Sequence, residues 1–265
     1  MALIQTHIAS AVLGMDVTCQ VILPQKASKL IGMETAAGEG LFPVLWLLHG
    51  MSDDETIWQR RTSIERYAAP LGLAVVMPAV QLSGYADMAH GGRYYTFISK
   101  ELPELMANLF PFSRKREDNF IAGLSMGGAG CMKIGLANPE QNSAIGCLSA
   151  GMINRGADSP QRRARMEMLY GGRDITGTEE DPVHSARQIL EKGLPAPRIY
   201  HACGDDDFLL DSAHETRDFF QSMEGNPFDY TYEQDPGVHS WEFWDEHIQH
   251  FLRFLKLQPE KDVRN

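Results

Sequence analysis

A serine lies between two glycines in Gly123-Leu124-Ser125-Met126-Gly127, directly after the apolar run of residues 119–122. Gly-x-Ser-x-Gly is the pattern of a tight turn from a strand to a helix, in which strained backbone angles expose the serine hydroxyl. The flanking residues must be glycine because side chains there would collide in so tight a turn. The spacing predicts a strand before Ser125, a helix after it, and a nucleophilic role for its hydroxyl.

A serine hydroxyl is a weak nucleophile unless a base and a carboxylate that orients the base lie beside it. After such a turn, these partners follow in the chain order Ser, Asp or Glu, His. His239 fits this order, in a turn between a strand-like run, 228–233, and a helix-like run, 241–256. The other histidines lie in helical or strand-like patterns or precede every candidate for the acid. The sequence therefore predicts His239 as the base.

Three adjacent carboxylates compete for the role of the orienting acid. Gly204-Asp205-Asp206-Asp207 follows a strand-like run, 198–203, and precedes a helix-like run, 208–222. Only one carboxylate can hold the imidazole, and the others would cap the helix or interact with the positive end of its dipole. The residue types alone leave this choice open.

Five segments jointly resemble the esterase D-type esterases of the α/β-hydrolase fold, most closely the bacterial tributyrin esterases. The segments span most of the chain and are Trp46-Leu47-Leu48-His49-Gly50-Met51-Ser52, Asp87-Met88-Ala89-His90-Gly91-Gly92, Gly123-Leu124-Ser125-Met126-Gly127-Gly128, Cys203-Gly204-Asp205-Asp206-Asp207-Phe208-Leu209 and Gly237-Val238-His239-Ser240-Trp241. In that family the acid is the aspartate of a Gly-x-x-Asp-Phe-Leu pattern, which falls on Asp207 here. The chain departs from the family in having two more carboxylates beside this position.

The resemblance implies a serine carboxylesterase that hydrolyses short-chain acyl esters, small-molecule substrates, through a covalent acyl-enzyme. It also implies a cytoplasmic, often homo-oligomeric enzyme that needs no metal and no organic cofactor. Three alternatives stay open: an S-formylglutathione hydrolase-like thioesterase, a carbohydrate acetyl or feruloyl esterase, and a binding protein that keeps the fold without the chemistry. One fold hosts all of these functions, so the fold does not decide the substrate.

Two backbone amides are expected to form the oxyanion hole of such an enzyme. One is the amide of the residue after the nucleophile, Met126. By resemblance, the other is the amide of Met51, where Gly50 would let the backbone approach the substrate oxygen. Soft or aromatic side chains near these positions would line an acyl pocket, with core packing as the alternative role. The predicted pocket residues are Trp58, Met152 and Trp241.

Composition narrows the range of partners. The chain has 24 Lys and Arg against 35 Asp and Glu, a net charge of −11, so nucleic acids and anionic membranes are poor partners. We expect no membrane span and no secretion signal at residues 1–7. The four cysteines, at 19, 131, 147 and 203, form no Cys-x-x-Cys pair. They indicate buried thiols in a reducing compartment rather than a metal or redox motif.

Strand-like and helix-like runs alternate along the chain, which predicts a mostly parallel sheet flanked by helices. The runs 4–13 and 15–23, joined at Gly14, predict an antiparallel hairpin at the start of the sheet. From 153 to 197 the pattern becomes polar, and we expect a cap-like insertion over the active site there. The length of 265 residues suits a single α/β-hydrolase domain over 1–265.

Overall fold

The computed structural model of the chain describes residues 1–25, 40–152 and 159–257. Within these ranges, eight strands form one sheet: β1 (Ala2–Ser10), β2 (Met15–Leu23), β3 (Val44–Leu48), β4 (Ala74–Pro78), β5 (Asn119–Leu124), β6 (Ala144–Leu148), β7 (Arg198–Gly204) and β8 (Tyr230–Asp235). Their order is β1-β2-β4-β3-β5-β6-β7-β8. β1 pairs antiparallel with β2, and β2 with β4, whereas β3 to β8 run parallel to one another. The sheet is thus mostly parallel with an antiparallel hairpin at its N-terminal edge, as predicted.

Helices cover both faces of this sheet. They are α1 (Ile57–Arg61), α2 (Ile64–Ala68), α3 (Tyr94–Thr96), α4 (Leu102–Leu109), α5 (Met126–Ala137), α6 (Pro160–Tyr170), α7 (Pro182–Lys192), α8 (Leu210–Ser222) and α9 (Trp241–Phe254). Successive strand residues point to opposite faces. In β3, Trp46 and Leu48 pack with α4, α5, α7 and α8, whereas Leu45 and Leu47 pack with α1, α2 and α9. None of the helices in the described ranges has the length and apolar character needed to cross a bilayer.

The first strand of the hairpin is shorter than predicted. β1 ends at Ser10 because the Glu101 carboxylate accepts hydrogen bonds from the amides of Ala11 at 2.8 Å and Val12 at 3.1 Å. Gly14 then adopts φ +67°, which glycine tolerates without strain. A side chain distant in sequence therefore converts the end of the apolar run into a turn.

The prediction of a cap-like insertion over 153–197 is wrong for α7. This helix buries Ala186 and Ile189 in the same apolar cluster as α5, so it is a regular crossover helix between β6 and β7. α6 instead packs on the loop after β4, where the amides of Ala89 and His90 donate to carbonyl oxygens of α6 at 2.8 and 3.2 Å. Residues 153–158 lie outside the described residues. The assignment of 1–265 to one domain stays a prediction.

A buried lysine joins α5 to the same loop. Lys133 Nζ donates to the carbonyl oxygens of Gly84 at 3.0 Å and Tyr85 at 3.2 Å, and it lies 3.8 Å from the Glu180 carboxylate. Burial lowers the pKa of Lys133 from its ordinary value of 10.5 to about 8, although the Glu180 carboxylate acts in the opposite direction. The loop is thus held by a cation whose charged form is disfavoured by its surroundings.

Replacement of Lys133 by Met should change how stability depends on pH. Between about pH 8 and 10.5 the unfolded chain retains a proton on Lys133 that the folded chain has lost, so this group makes the free energy of unfolding rise with pH. The free energy of unfolding of the wild type minus that of Lys133→Met should therefore increase across this window. Urea titrations followed by tryptophan fluorescence at several pH values measure it.

Lys100→Met is the matched control, since Lys100 is exposed and pairs with Glu179 at the surface. It should leave the pH dependence of unfolding close to that of the wild type. Equal trends in the two variants would contradict the assignment of the effect to burial of Lys133.

Candidate active site

Ser125 lies between β5 and α5 at the carboxyl edge of the parallel strands. Its backbone has φ 52° and ψ −116°, a region that a non-glycine residue adopts only when its surroundings enforce it. A Cβ atom on Gly123 would lie 2.6 Å from the Gly127 carbonyl carbon, and one on Gly127 would lie 2.5 Å from the Leu48 carbonyl oxygen. Only glycine fits at these two positions, so the packing of α5 against the sheet holds Ser125 in its strained conformation.

Three side chains form a continuous hydrogen-bonded chain at this edge. The Ser125 hydroxyl lies 2.9 Å from His239 Nε2, and His239 Nδ1 lies 3.0 and 2.9 Å from the two carboxylate oxygens of Asp207. Because an ionised carboxylate can only accept, His239 donates from Nδ1 and accepts the serine proton at Nε2. The three residues follow β5, β7 and β8, whose carboxyl ends meet at one edge of the sheet. This geometry can activate a hydroxyl for attack on a carbonyl carbon.

The neighbouring aspartates have different contacts. Asp205 accepts a hydrogen bond from the Gly237 amide at 3.0 Å and so braces the loop that carries the imidazole. Asp206 is exposed, and its amide donates to the Gly237 carbonyl oxygen at 3.0 Å. The capping of α8 that was expected of these two residues is not seen, because α8 has no side-chain cap; the amide of Leu209, just before the helix, donates to the Asp207 carboxylate at 2.8 Å. Of the three, Asp207 is the one hydrogen-bonded to the imidazole.

The Asp207 carboxylate is buried and has several hydrogen-bond donors. Burial by itself raises the pKa of Asp207, but hydrogen bonds from His239, the Leu209 amide and the Ser149 hydroxyl outweigh it, and the net pKa is below the ordinary value. Ser149 is fully buried and in turn accepts from Trp244 Nε1 at 2.9 Å. Donors from three loops, those after β6, β7 and β8, therefore keep Asp207 ionised and fix its orientation toward the imidazole.

Two aromatic rings enclose the His239 imidazole. The Trp244 ring contacts it edge-on, with ring centroids 4.9 Å apart and planes at 88°. The Phe208 ring lies on another side, with centroids 4.3 Å apart, while 76% of Phe208 is exposed. The imidazole is thus restrained by packing as well as by hydrogen bonds, and Phe208 provides an apolar surface at the mouth of the site.

Sequence reasoning did not predict roles for Ser149, Trp244 or Phe208. A signal was present for Ser149, since it ends the strand-like run 143–149 at the same sheet edge as Ser125. A signal was also present for Phe208, which belongs to the Gly-x-x-Asp-Phe-Leu pattern. No local pattern marks Trp244, because its contact with Ser149 joins residues that are distant in the chain.

The amide predicted as one oxyanion donor belongs to Met126, the first residue of α5. Amides in the first turn of a helix have no acceptor within the helix, and the helix dipole adds partial positive charge there. The Met126 side chain is buried in the core. Its amide is therefore free to serve an oxygen bound beside Ser125, and its role as a donor stays a prediction.

A neutral histidine orients the peptide of the other predicted donor. His49 Nδ1 donates to the Gly50 carbonyl oxygen at 2.7 Å, and His49 Nε2 accepts from the Val80 amide at 3.1 Å. Burial lowers the pKa of His49, which favours this neutral tautomer. Because the peptide is trans, the Met51 amide points away from the Gly50 carbonyl and hence away from His49. Tyr85 adds a hydrogen bond to the His49 carbonyl oxygen at 2.9 Å.

A cavity of about 430 Å³ opens beside Ser125. Its lining consists of Gly50, Met51, Ser52, Asp53, Arg61, Leu124, Ser125, His239, Ser240, Trp241, Glu242 and Trp244. Gly50 and Trp241 therefore lie where the sequence predicts substrate contacts, although their binding roles are untested. Of the charged side chains in the lining, two are carboxylates and one is a guanidinium.

Trp58 and Met152, the other predicted pocket residues, do not line this cavity. Trp58 is fully buried, donates to the Leu48 carbonyl oxygen at 3.1 Å and packs edge-on against Trp241 at 5.2 Å. Met152 packs against the apolar core, and its amide donates to the Thr216 hydroxyl at 2.8 Å. Both side chains therefore have the alternative role, core packing. Trp58 also supports the pocket wall, because it packs behind Trp241.

The family model described as "Putative esterase" matches residues 10–255. The chain belongs to this family. An acetyl esterase of Caldicellulosiruptor saccharolyticus is 30% identical to this esterase over 265 aligned positions, which cover 96% of this chain and 98% of the relative. The predicted family is thus confirmed, whereas the tributyrin esterase branch stays a prediction.

Solved structures of similar proteins agree with the fold. The fluorophosphonate-binding serine hydrolase F of Staphylococcus aureus gives a TM-score of 0.81 at 33% identity, covering 96% of this esterase and 98% of that chain. An S-formylglutathione hydrolase of the same organism gives 0.79 at 34% identity with the same coverage. The α/β-hydrolase fold is confirmed, and the esterase is a serine hydrolase that acts on carboxylic esters.

Substitution of Asp207 and of Asp206 should separate their roles. Asp207→Asn preserves shape but favours the wrong imidazole tautomer, and we expect kcat to fall by a factor on the order of 10⁴, as for the same change in the serine protease triad. Asp206→Asn is the matched control and should cost less than about tenfold, since only exposed polar interactions are lost. Initial rates with a short p-nitrophenyl ester measure both. A severe loss in Asp206→Asn with a mild one in Asp207→Asn would refute the assignment.

Ser149→Ala should lower kcat while KM stays close to that of the wild type, because it removes a donor to Asp207 and touches no substrate. A hydrogen bond to a charged group contributes about 1.5 to 3 kcal/mol, so a loss of about 10- to 100-fold in kcat is expected. Ser143→Ala, in which a hydroxyl near the other end of β6 is removed, should leave kcat unchanged. Equal effects of the two substitutions, or a change confined to KM, would contradict a positioning role for Ser149.

Proposed function

We propose that this esterase hydrolyses short-chain acyl esters with an uncharged alcohol group through a covalent acyl-enzyme on Ser125. The observation that carries the proposal is the unbroken hydrogen-bonded chain from Asp207 through His239 to Ser125, which ends at a small cavity. Nucleophile, base and orienting acid are the three groups that acyl transfer to a serine needs.

In the proposed acylation step, the Ser125 oxygen attacks the ester carbonyl carbon while His239 Nε2 accepts the hydroxyl proton. The negative charge that develops on the carbonyl oxygen is stabilised by the amides of Met51 and Met126. Loss of one such donor typically costs about 10² to 10³ in rate. The tetrahedral species then collapses, and the alcohol leaves with the proton from His239.

Deacylation follows the same path with water in place of the alcohol. His239 Nε2 removes a proton from the water as it attacks the acyl carbon, and the proton returns to the Ser125 oxygen as the carboxylic acid departs. Asp207 keeps its negative charge throughout and stabilises the imidazolium formed in each step. The lowered pKa of Asp207 supports this role, because the carboxylate stays ionised at neutral pH.

The size of the cavity supports a short acyl chain. About 430 Å³ lies at the small end of the range for ligand pockets, and the rigid rings of Trp241 and Trp244 form part of its wall. Trp58 packs behind Trp241 in the core, so this wall cannot yield easily. Met51 in the lining and the exposed Phe208 ring beside His239 add apolar surface, which suits a small hydrocarbon substituent.

Charge in the cavity supports a neutral substrate. Asp53 and Glu242 outnumber Arg61 in the lining, which leaves no surplus positive charge for the carboxylates of a glutathione thioester. The similarity to an S-formylglutathione hydrolase, at 34% identity, nevertheless makes thioester cleavage the second candidate function. Carbohydrate acetyl ester cleavage is compatible with the same pocket.

We also propose a reducing, cytoplasmic setting and a homo-oligomeric state. Support for the setting comes from Cys19, Cys131, Cys147 and Cys203, which are all free and buried. The oligomeric state rests on the family resemblance.

A panel of p-nitrophenyl esters tests the substrate class. As acyl length grows from about two to twelve carbons, kcat/KM should peak at a short chain and then fall, because a methylene that fits adds at most about 0.8 kcal/mol and one that clashes loses more. A kcat/KM still rising at about ten carbons, or higher on S-formylglutathione than on every ester of the panel, would refute this class. Ser125→Ala is the control for chemistry and should retain less than about 1% of wild-type kcat.

A further inference from the structure

Three potential metal ligands converge where β8 packs against α9. The Glu233 carboxylate oxygen lies 2.8 Å from His250 Nδ1 and 3.7 Å from His247 Nδ1, and one ligand atom from each residue lies within 4.8 Å of the others. We propose that this His-His-Glu cluster binds one zinc ion, which contributes to stability and takes no part in ester hydrolysis.

The distances suit a tetrahedral ion. Zinc binds histidine nitrogen and carboxylate oxygen at about 2.0 to 2.2 Å, so neighbouring ligands of a tetrahedral site lie roughly 3.3 Å apart. The separations of 2.8 and 3.7 Å from the Glu233 oxygen bracket this value, and rotation of the partly exposed Glu233 and His250 side chains would bring the three atoms to it. Two histidines and one carboxylate are a ligand set that zinc commonly takes.

The positions of the ligands in the fold allow an ion to enter and to be held. His247 and His250 lie three residues apart on α9 and so share one face of the helix, while Glu233 reaches them from the edge strand β8. The His247 side chain is 1% exposed, whereas those of Glu233 and His250 are 35% and 29% exposed. One anchoring ligand is therefore rigid, and the opposite side is open to solvent for a water ligand.

A second observation is an unsatisfied nitrogen. His247 Nε2 is buried and has no hydrogen-bond partner, but the Asp235 carboxylate lies 3.5 Å from it. If Nδ1 of this ring binds a metal, the ring proton must reside on Nε2, where it faces that carboxylate. Metal-binding histidines usually donate their other ring N–H to a carboxylate in this way. Metal binding would therefore make Nε2 a donor to Asp235.

Without a metal, the Tyr200 hydroxyl contacts two of the three proposed ligands. Its hydroxyl donates to Glu233 at 2.6 Å and lies 2.8 Å from His247 Nδ1. The ion would replace these two hydrogen bonds with direct ligation. Since β8 ends and α9 begins on either side of the loop that carries His239, zinc would tie together the two elements that anchor this loop.

Zinc titration of the wild-type chain, with a competing fluorescent zinc chelator, tests the proposal. We expect one zinc ion per chain and a higher temperature of unfolding in zinc than in chelator. Glu233→Gln and His250→Ala should each weaken binding by more than about tenfold, and Asp235→Asn should weaken it by about 10- to 100-fold, which is the usual effect of losing an outer partner. Glu233→Gln and Asp235→Asn keep the shape of the side chain, so lost binding in them would not reflect failed folding.

Two controls locate the ion. His214→Ala removes a histidine that bonds Gln234 on β8, outside the cluster, and should bind zinc as the wild type does. His239→Ala should also keep zinc binding, since the ion is assigned away from Ser125. Zinc binding that survives in Glu233→Gln and His250→Ala, or that is lost in His239→Ala, or a wild type with no affinity above that of the variants, would overturn the proposal.

Discussion

The active site depends on the close contact between the first turn of α5 and the backbone at the end of β3. A single added carbon on Gly127 would lie 2.5 Å from the Leu48 carbonyl oxygen, so helix and strand approach as closely as backbone allows. This approach holds Ser125 at φ 52° and places it directly before the first turn of α5, whose amides have no acceptor within the helix. The proposed nucleophile and the predicted oxyanion donor, the Met126 amide, thus depend on the same packing contact.

The position of the His239 imidazole depends on a buried carboxylate at the same edge of the sheet. Asp207 is stabilised as an anion by donors from three neighbouring loops, and each donor also restricts where the carboxylate can point. His239 is then fixed between this carboxylate and two aromatic rings. Hydrogen bonds in such a network are strong because water is excluded from it. For the same reason, a member left without a partner would lower the stability of the fold.

Substrate choice in this family lies outside that shared machinery. Relatives with the same fold carry the names acetyl esterase and S-formylglutathione hydrolase. In this chain the cavity beside Ser125 is small, is lined by the rings of Trp241 and Trp244, and has two carboxylates against one guanidinium, that of Arg61. Substrate choice therefore depends on the side chains around Ser125, which the fold positions but whose identity it does not specify.

Features that depend on local order were predictable from the sequence: the glycine turn that predicts Ser125 as nucleophile, the chain order that predicts His239 as base, and the alternating runs of a parallel sheet. The choice of Asp207 needed the family pattern, since three adjacent carboxylates are locally equivalent. Other features are visible only in the folded chain. Trp58 and Met152 pack in the core, and α7 is a crossover helix rather than part of a cap. Ser149 and Trp244 support the Asp207 carboxylate. The reason is physical: local order constrains backbone conformation over a few residues, whereas burial and hydrogen-bond partners depend on segments far apart in the chain that meet only on folding.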